Sequence, residues 1–290
     1  MIRLSLIILT YNSEKDIYDC LQSVYQYNDI GNSLEVIVVD NNSQHFTQMR
    51  DKINLQYPDV KVIANTKNGG YGQGNNIGIR AASAPIVSIM NPDVRLITPV
   101  FKTFVEVLSQ DENIMCGGKQ YATMTKQNPS FYYDFTESGF RQVIGRIICQ
   151  KLDIYNPKRM WLQGAFFAIK KNIFEQIGLF DENIFMYAEE FDIHLRLKKH
   201  FPKKHIKYIK QAKYLHLTNE RVITEDVIKK QYEANIYVCL KSDLSLKKMI
   251  NNMSHAITYN RILSFIIGAN SLTNITQVNL INNIKKHYKI

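Results

Sequence analysis

The stretch with the most chemical promise is Asn68-Gly69-Gly70-Tyr71-Gly72-Gln73-Gly74-Asn75-Asn76-Ile77-Gly78, eleven residues with five glycines and three asparagines. Glycines this dense let a backbone approach a ligand closely, and a following helix offers its N-terminus to negative charge. The run is not a dinucleotide fingerprint, because G-x-G-x-x-G fails in every register, and no G-K-[ST] follows to make a P-loop. Three more polar clusters stand out: Thr10-Tyr11-Asn12, Asp40-Asn41-Asn42 and Asn91-Pro92-Asp93. Each alone reads as a turn, since Asn, Asp, Gly and Pro dominate turns. Further on, Glu189-Glu190 pairs two carboxylates, a pattern that a helix start favours by its dipole alone.

The elements around these clusters place them together. Leu4–Leu9, Leu34–Val39, Val60–Ala64 and Pro85–Met90 are short aliphatic runs, the signature of strands buried on both faces. Helical stretches near Glu14–Tyr27, Gln44–Gln56 and Gly74–Ala82 lie between them, the first with Ser13 as its N-cap. Strands spaced by helices predict βαβ crossovers and a mostly parallel α/β sheet. In such sheets ligands bind at the carboxyl ends of the strands. The four polar clusters all fall there, and the joint pattern favours a nucleotide pocket. Beyond it, residues 119–158 read as a loop-rich insertion, Met160–Lys170 as a strand, Asn172–Ile177 as a short helix and Ala188–His200 as a helix. Residues 224–267 read as helical, with Ile228, Tyr232, Ile236 and Leu240 at helical spacing.

Composition bounds the rest. A chain of 290 residues that is 45% hydrophobic can bury a core, which excludes a disordered or fibrous protein. The net charge of +10 is uneven: residues 1–100 hold eight basic and nine acidic side chains, whereas Leu244–Ile290 holds six basic and no acidic ones. Residues 193–219 likewise carry eight Lys/Arg and no carboxylate. Such asymmetry fits either an anionic partner or a solvated basic face. Cys20, Cys116, Cys149 and Cys239 form no CxxC pair, so buried thiols in a reducing cytosol are expected rather than zinc ligands or a disulfide framework. Leu4–Leu9 reads as a strand and not a signal peptide, and no apolar stretch nears the roughly 20 residues of a membrane span. The expected location is the cytoplasm, with the inner face of the cell membrane as a peripheral site.

Taken in order, Leu4–Asn12, Glu35–Asn42, Asn68–Gly78 and Asn91-Pro92-Asp93 resemble the inverting family 2 glycosyltransferases of the GT-A fold. The resemblance continues through Trp161-Leu162-Gln163-Gly164-Ala165, Gly178-Leu179-Phe180-Asp181-Glu182, Phe185–Asp192 and His216. It is nearest the branch with rhamnosyl- and galactofuranosyltransferases. It covers roughly the first 220 residues and implies a catalytic domain there, with a donor half to about residue 118, an acceptor half over 119–220, and a helical extension over 221–290.

What the resemblance implies for each cluster is chemically sensible. Asp40 would hold the nucleoside of a nucleotide-sugar donor, with Thr10, Tyr11 and Asn12 walling the base and Asn68, Gly69, Asn75 and Asn91 completing the donor site. The other reading of Asp40 is an Asx-turn at a strand end. Asn91-Pro92-Asp93 stands where many relatives carry Asp-x-Asp, so Asp93 would place Mg²⁺ or Mn²⁺ on the donor diphosphate and His216 would close its shell. The neutral Asn91 departs from the acidic pattern and weakens that metal site; a packed His216 is the other reading. Glu190 matches the general base, although Asp is usual there, with Glu189 as fallback and Asp192 structural. Trp161 and Gly164 resemble the acceptor side, where an aromatic face meets a sugar ring; Trp161 could equally be core. The implied reaction moves a sugar, with dTDP-rhamnose, UDP-galactofuranose and UDP-hexose as candidate donors, onto a glycan or lipid-linked acceptor. The basic tail Leu244–Ile290, with apolar Ile250, Ile257, Leu263, Phe265, Ile266 and Ile267, would rest on an anionic membrane surface or pack as a helical pair. A sugar-phosphate nucleotidyltransferase would need Gly-Gly-x-Gly-x-Arg after the first strand, and Thr10-Tyr11-Asn12-Ser13 is not that. No RRM, KH or zinc-finger pattern supports nucleic-acid binding.

Overall fold

In the computed structural model, which describes residues 1–217, 224–266 and 272–290, the aliphatic runs become the centre of an eight-stranded sheet. Strand β1 (Leu4–Thr10) is buried along its length except for partly covered Leu9. It lies parallel to both β2 (Leu34–Asp40) and β4 (Ile86–Met90), which is why its sequence shows no polar alternation. With β3 (Lys61–Ala64) outside β2, β5 (Val94–Leu96), β6 (Asn113–Tyr121), β9 (Phe166–Lys170) and β10 (His205–His216), the order is β3-β2-β1-β4-β9-β6-β10-β5. Only β9 and β5 run against the rest, so the sheet is mostly parallel. Helices α1 (Ile17–Gln26), α2 (Phe46–Gln56) and α3 (Gly70–Ala81) make the early crossovers, and α4 (Phe101–Ser109) and α6 (Lys171–Gln176) follow later. The chain passes from β3 across to β4 on the far side of β1, which puts a topological switch point between β1 and β4.

By its internal contacts the chain forms two units, Met1–Ser130 with Leu162–Phe185 and Arg196–Asn219, and Phe131–Trp161 with Met186–Leu195 and Glu220–Ile290. These interleave along the chain, whereas the sequence reading divides it at 118/119 and 220/221; the latter position lies outside the described residues. The first unit holds the large sheet and a core that includes Leu6, Ile8, Leu21, Val38, Phe101, Phe104, Phe166 and Tyr214. The second holds the short ribbon of β7 (Phe131–Tyr133) with β8 (Met160–Leu162), helix α5 (Arg146–Lys151) and the start of α7 (Glu189–His200). Its C-terminal helices are α8 (Glu225–Lys241), α9 (Leu246–Ile266) and α10 (Leu272–Tyr288), around Ile228, Tyr232, Ile236, Cys239, Met249, Ile250, Met253 and Ile257.

Several local expectations are corrected. Helix α1 starts at Ile17 with Asp16 at its cap, and Ser13 instead closes a small turn in which its Oγ donates to the Tyr11 carbonyl. The run Met160–Lys170 is two strands, β8 and β9, rather than one. Residues 224–266 form two helices broken after Lys241, and Cys239 takes the buried position expected for Leu240, which is half exposed. Ile250 and Ile257, expected on a membrane-facing tail, are core residues of the second unit. Phe265 and Ile266 do stand exposed, and Ile267 lies outside the described residues. Among the described residues no helix is long and apolar enough to cross a membrane. All four cysteines are free; Cys20, Cys116 and Cys239 are buried, and burial pushes the Cys20 thiol up to about 12.

A further correction concerns the glycine-rich run: its helix starts at Gly70, four residues before the expected Gly74, so Gly70–Gln73 are helix rather than loop. Each glycine marks contact with protein. A Cβ on Gly70, itself at φ +90, would strike the Phe185 backbone; one on Gly74 would meet Leu9 and Asn41, and one on Gly78 would meet Ile7 and Val39. The glycines thus press α3 onto β1 and β2.

Candidate functional site

Strand register assembles the first cluster. Thr10 pairs with Asp40 across β1 and β2, so both side chains sit at the carboxyl edge. Asp40 is 1% exposed, and its carboxylate accepts from Thr10 Oγ1 (2.9 Å), the Ser43 backbone N–H (2.8 Å) and the Ser43 hydroxyl. The Asx-turn geometry is present: the turn rigidifies a carboxylate at the strand end. Asn12, at φ +50, accepts from Gln44 N–H, and Tyr11 is half exposed. Asn12 N–H donates to Ser43 Oγ, which ties this loop to the next.

Beside it lies an amide network that sequence reasoning missed. Asn41 Nδ2 donates to Asn68 Oδ1 (3.2 Å) and the Gly70 carbonyl (2.9 Å), while Asn65 Nδ2 donates to Asn41 Oδ1 (2.8 Å) and Gln73 Oε1 (2.7 Å). Asn68 Oδ1 also accepts from Gly70 N–H, and Gly69 has room for no side chain because Gln73 occupies it. Asn75 is wholly buried inside α3, donating to the Tyr71 carbonyl with its Oδ1 unpartnered. The Tyr71 hydroxyl donates to Asn91 Oδ1 (3.1 Å) and the Gly164 carbonyl (3.2 Å), so Asn91 and Gly164 share a partner on α3.

The second cluster joins Asp93 and His216. Antiparallel pairing of β5 with β10 sets His216 opposite Val94, and Leu217 N–H donates to the Asp93 carbonyl (2.9 Å). Both residues are nearly buried, at 8% and 3% exposure. Gln120 on β6, another residue missed from sequence, sets the imidazole tautomer. Its Nε2 donates to the Pro129 carbonyl (3.3 Å), which fixes Oε1 as an acceptor; the Tyr214 hydroxyl donates to that oxygen, and His216 Nδ1 lies 3.2 Å from it. In a neutral ring Nδ1 then carries the hydrogen and Nε2 the lone pair. Nε2 is buried and makes no hydrogen bond, although it faces Asp93 Oδ1 at 3.3 Å. A nitrogen lone pair and a carboxylate oxygen brought this close fit a shared cation, and imidazole with carboxylate suits Mn²⁺ or Mg²⁺. Among the described residues no three His, Cys, Asp or Glu side chains converge, so the remaining ligands of such an ion would come from phosphate and water.

The second unit carries the carboxylate pair by itself. Tyr187 (φ 75) and Ala188 (φ 66) are two successive left-handed residues just before α7, a conformation that costs of order 1 kcal/mol or more at each. They turn the chain so that Glu189 is buried and Glu190 is only partly so. Burial first, then the adjacent Glu190 charge, hold the Glu189 carboxyl well above the usual range. Asp192, 1% exposed, accepts from Lys241 Nζ at 2.7 Å and ties α7 to α8. Trp161 is 8% exposed and stacks on Tyr132 at 4.9 Å.

The state of Glu189 has a measurable consequence. The folded chain keeps that proton at pH values where the unfolded chain has released it, so stability falls as pH rises above about 4.3, the ordinary Glu value. Glu189→Gln lacks the group. Its melting temperature should gain on the unmutated protein as pH rises above about 4.3. A difference independent of pH would show that Glu189 is not held protonated.

Residues 5–187 match the glycosyl transferase family 2 profile. The chain belongs to that family. This glycosyl transferase family 2 member is 27% identical over 179 residues to the dolichol-phosphate mannosyltransferase of Pyrococcus furiosus, covering 61% of this chain and 49% of that protein. It is 26% identical over 204 residues to the low-salt glycan biosynthesis hexosyltransferase Agl10 of Haloferax volcanii, covering 68% of this chain and 62% of that one. The chain thus spans about half to three fifths of the length of these curated relatives. Its fold is similar to that of the mannosyltransferase PcManGT from Pyrobaculum calidifontis, solved with GDP-Man and Mn²⁺, at a TM-score of 0.62, 15% identity and coverage of 98% of this chain and 80% of that one. The fold is therefore the α/β GT-A type expected from the sequence.

Proposed function

We propose that this family 2 protein is an inverting glycosyltransferase that moves a sugar from a nucleotide-sugar donor to a hydroxyl of a glycan or lipid-linked acceptor. The observation that carries this reading is the convergence of Asp93 Oδ1 and His216 Nε2 at 3.3 Å, at the edge of a sheet of this family's fold. In this reading Asp40, Thr10, Tyr11, Asn12 and Asn68 hold the nucleoside at the carboxyl ends of β1 and β2. Asp93 and His216 would hold a divalent cation, which when bound supplies positive charge against the diphosphate. Glu190 takes the proton of the acceptor hydroxyl as that oxygen attacks the anomeric carbon from the face opposite the departing nucleoside diphosphate. Burial disfavours the charged form of Glu189, which favours the less buried Glu190 as the base.

The donor remains a matter for measurement. Asn91-Pro92-Asp93 motivates dTDP-rhamnose, whereas the named relatives transfer mannose or hexose and motivate GDP-mannose or a UDP-hexose. Thermal unfolding with each donor, with and without Mg²⁺ or Mn²⁺, separates them. A ligand at a hundred times its Kd stabilises by about 2.7 kcal/mol, worth several degrees in a protein of this size. The expected result is such a rise for one donor class, larger with metal. If no nucleotide sugar raises the transition with either metal, the reading is wrong.

A further inference from the structure

Most arginines in the structure whose contacts are settled have an acidic partner: Arg50, Arg80, Arg95, Arg141 and Arg159 each lie within 4 Å of a carboxylate. Arg146, partly buried at the start of α5, has no such partner among the described residues. Among the described residues its contacts are a hydrogen bond from Nε to the Gln142 carbonyl (3.2 Å) and the ring of Tyr132, whose centroid lies 5.2 Å from its Cζ. Tyr132 in turn stacks on Trp161 at 4.9 Å and 22° between planes, and the Trp161 Nε1 is buried with no hydrogen-bond partner. Tyr132 also feels the charge of Glu190 as well as that of Arg146. A guanidinium placed over an aromatic ring, with one of its five N–H groups used among the described residues, presents a planar fork matched to two oxygens of an oxyanion.

We propose that Arg146, on its Tyr132–Trp161 platform, is the recognition group for a phosphate ester carried by the acceptor. This rests on the glycosyltransferase reading, in which Glu190 activates the acceptor. It extends that reading by giving the acceptor a charge: the hydroxyl that is glycosylated belongs to a molecule with a phosphate near it. The phosphate binds through two charge-assisted N–H···O bonds from the free side of the guanidinium, and no covalent step is involved. The same chemistry is offered by a soluble polyol phosphate and by the headgroup of a phosphorylated lipid.

Trp161 is the only tryptophan in the chain, so its emission reports this platform alone. Titration with glycerol 3-phosphate, and separately with phosphatidylcholine vesicles containing phosphatidic acid, should change that emission saturably. Glycerol and pure phosphatidylcholine vesicles should not. A response to the soluble ester identifies a soluble phosphate acceptor; a response to the doped vesicles alone identifies a lipid one. Arg146→Gln should weaken whichever response occurs at least tenfold in Kd, and Arg146→Lys, which keeps the charge but not the fork, should fall between. Unchanged melting temperatures would show that both variants fold. An unweakened response in Arg146→Gln, or no response to either phosphate source, overturns the proposal. Failure of the wider reading looks different: the phosphate response would persist and depend on Arg146 while no nucleotide sugar stabilised the protein.

Discussion

Glu190→Gln should lower transfer by about 10²–10⁴-fold while leaving donor binding almost unchanged, the range that a positioned general base contributes. An acceptor hydroxyl is a poor nucleophile until a carboxylate draws off its proton as the new bond forms. Glutamine keeps the size and hydrogen-bonding shape of Glu190 but cannot take that proton. Donor affinity should hold because the proposed donor contacts, Asp40, Asn68 and Asp93, are untouched. Glu189→Gln should be far milder, since burial already disfavours the charged form of that carboxyl. Steady-state rates at saturating donor, with donor affinity measured separately, check both. A reversed order would move the base to Glu189. If neither variant slows transfer tenfold, the pair is only an acidic helix start and another group is the base.

Asp93→Ala should abolish the extra donor stabilisation that metal provides and cut turnover by at least 10²–10³-fold, the usual loss when one preorganised electrostatic contact is removed. The fold should survive. The backbone bond from Leu217 N–H to the Asp93 carbonyl does not need the side chain. Near-normal transfer by a folded Asp93→Ala protein would remove Asp93 from the donor site.

How much of this was legible depended on how local each signal is. The runs around Ile7, Val38 and Ile89 announce strands buried on both faces, and the polar residues ending them mark the carboxyl edge of the sheet without further help. The fold class and the position of Thr10, Asp40 and Asn91 follow from that. The start of α3 is hidden in the sequence because dense glycine signals a loop, whereas here its missing Cβ is used for contact with Leu9, Asn41 and Phe185. Strands β6 and β10 were missed for related reasons. Gly117-Gly118 interrupts one, where a Cβ on Gly118 would strike the Ala212 carbonyl, and the other alternates lysine with apolar residues around a register shift between Ile209 and Lys213. Gln120 could not be found at all, since its role depends on a partner 96 residues away. Nor could sequence say which of Glu189 and Glu190 is buried. Neighbours on a helix point about 100° apart, and the packing of the second unit chooses between them.

Helix α3 has a bearing on the order in which the chain acquires its shape. Gly70, Gly72, Gly74 and Gly78 fall within its twelve residues, and each costs about 1 kcal/mol relative to alanine in a free helix. The segment cannot hold a helix alone; it needs the surfaces that its glycines are cut to fit. Some of those surfaces, Leu9 and Val39, are made before it, but others are made long after. Asn76 exchanges hydrogen bonds with the Phe180 backbone in both directions, and Tyr71 N–H donates to the Phe185 carbonyl. During synthesis the helix must therefore wait for about a hundred further residues to emerge. Until then the Asn41–Asn65–Gln73 amides lack their frame, so a nascent chain stopped short of Phe185 would present the early strands without the edge that they exist to support.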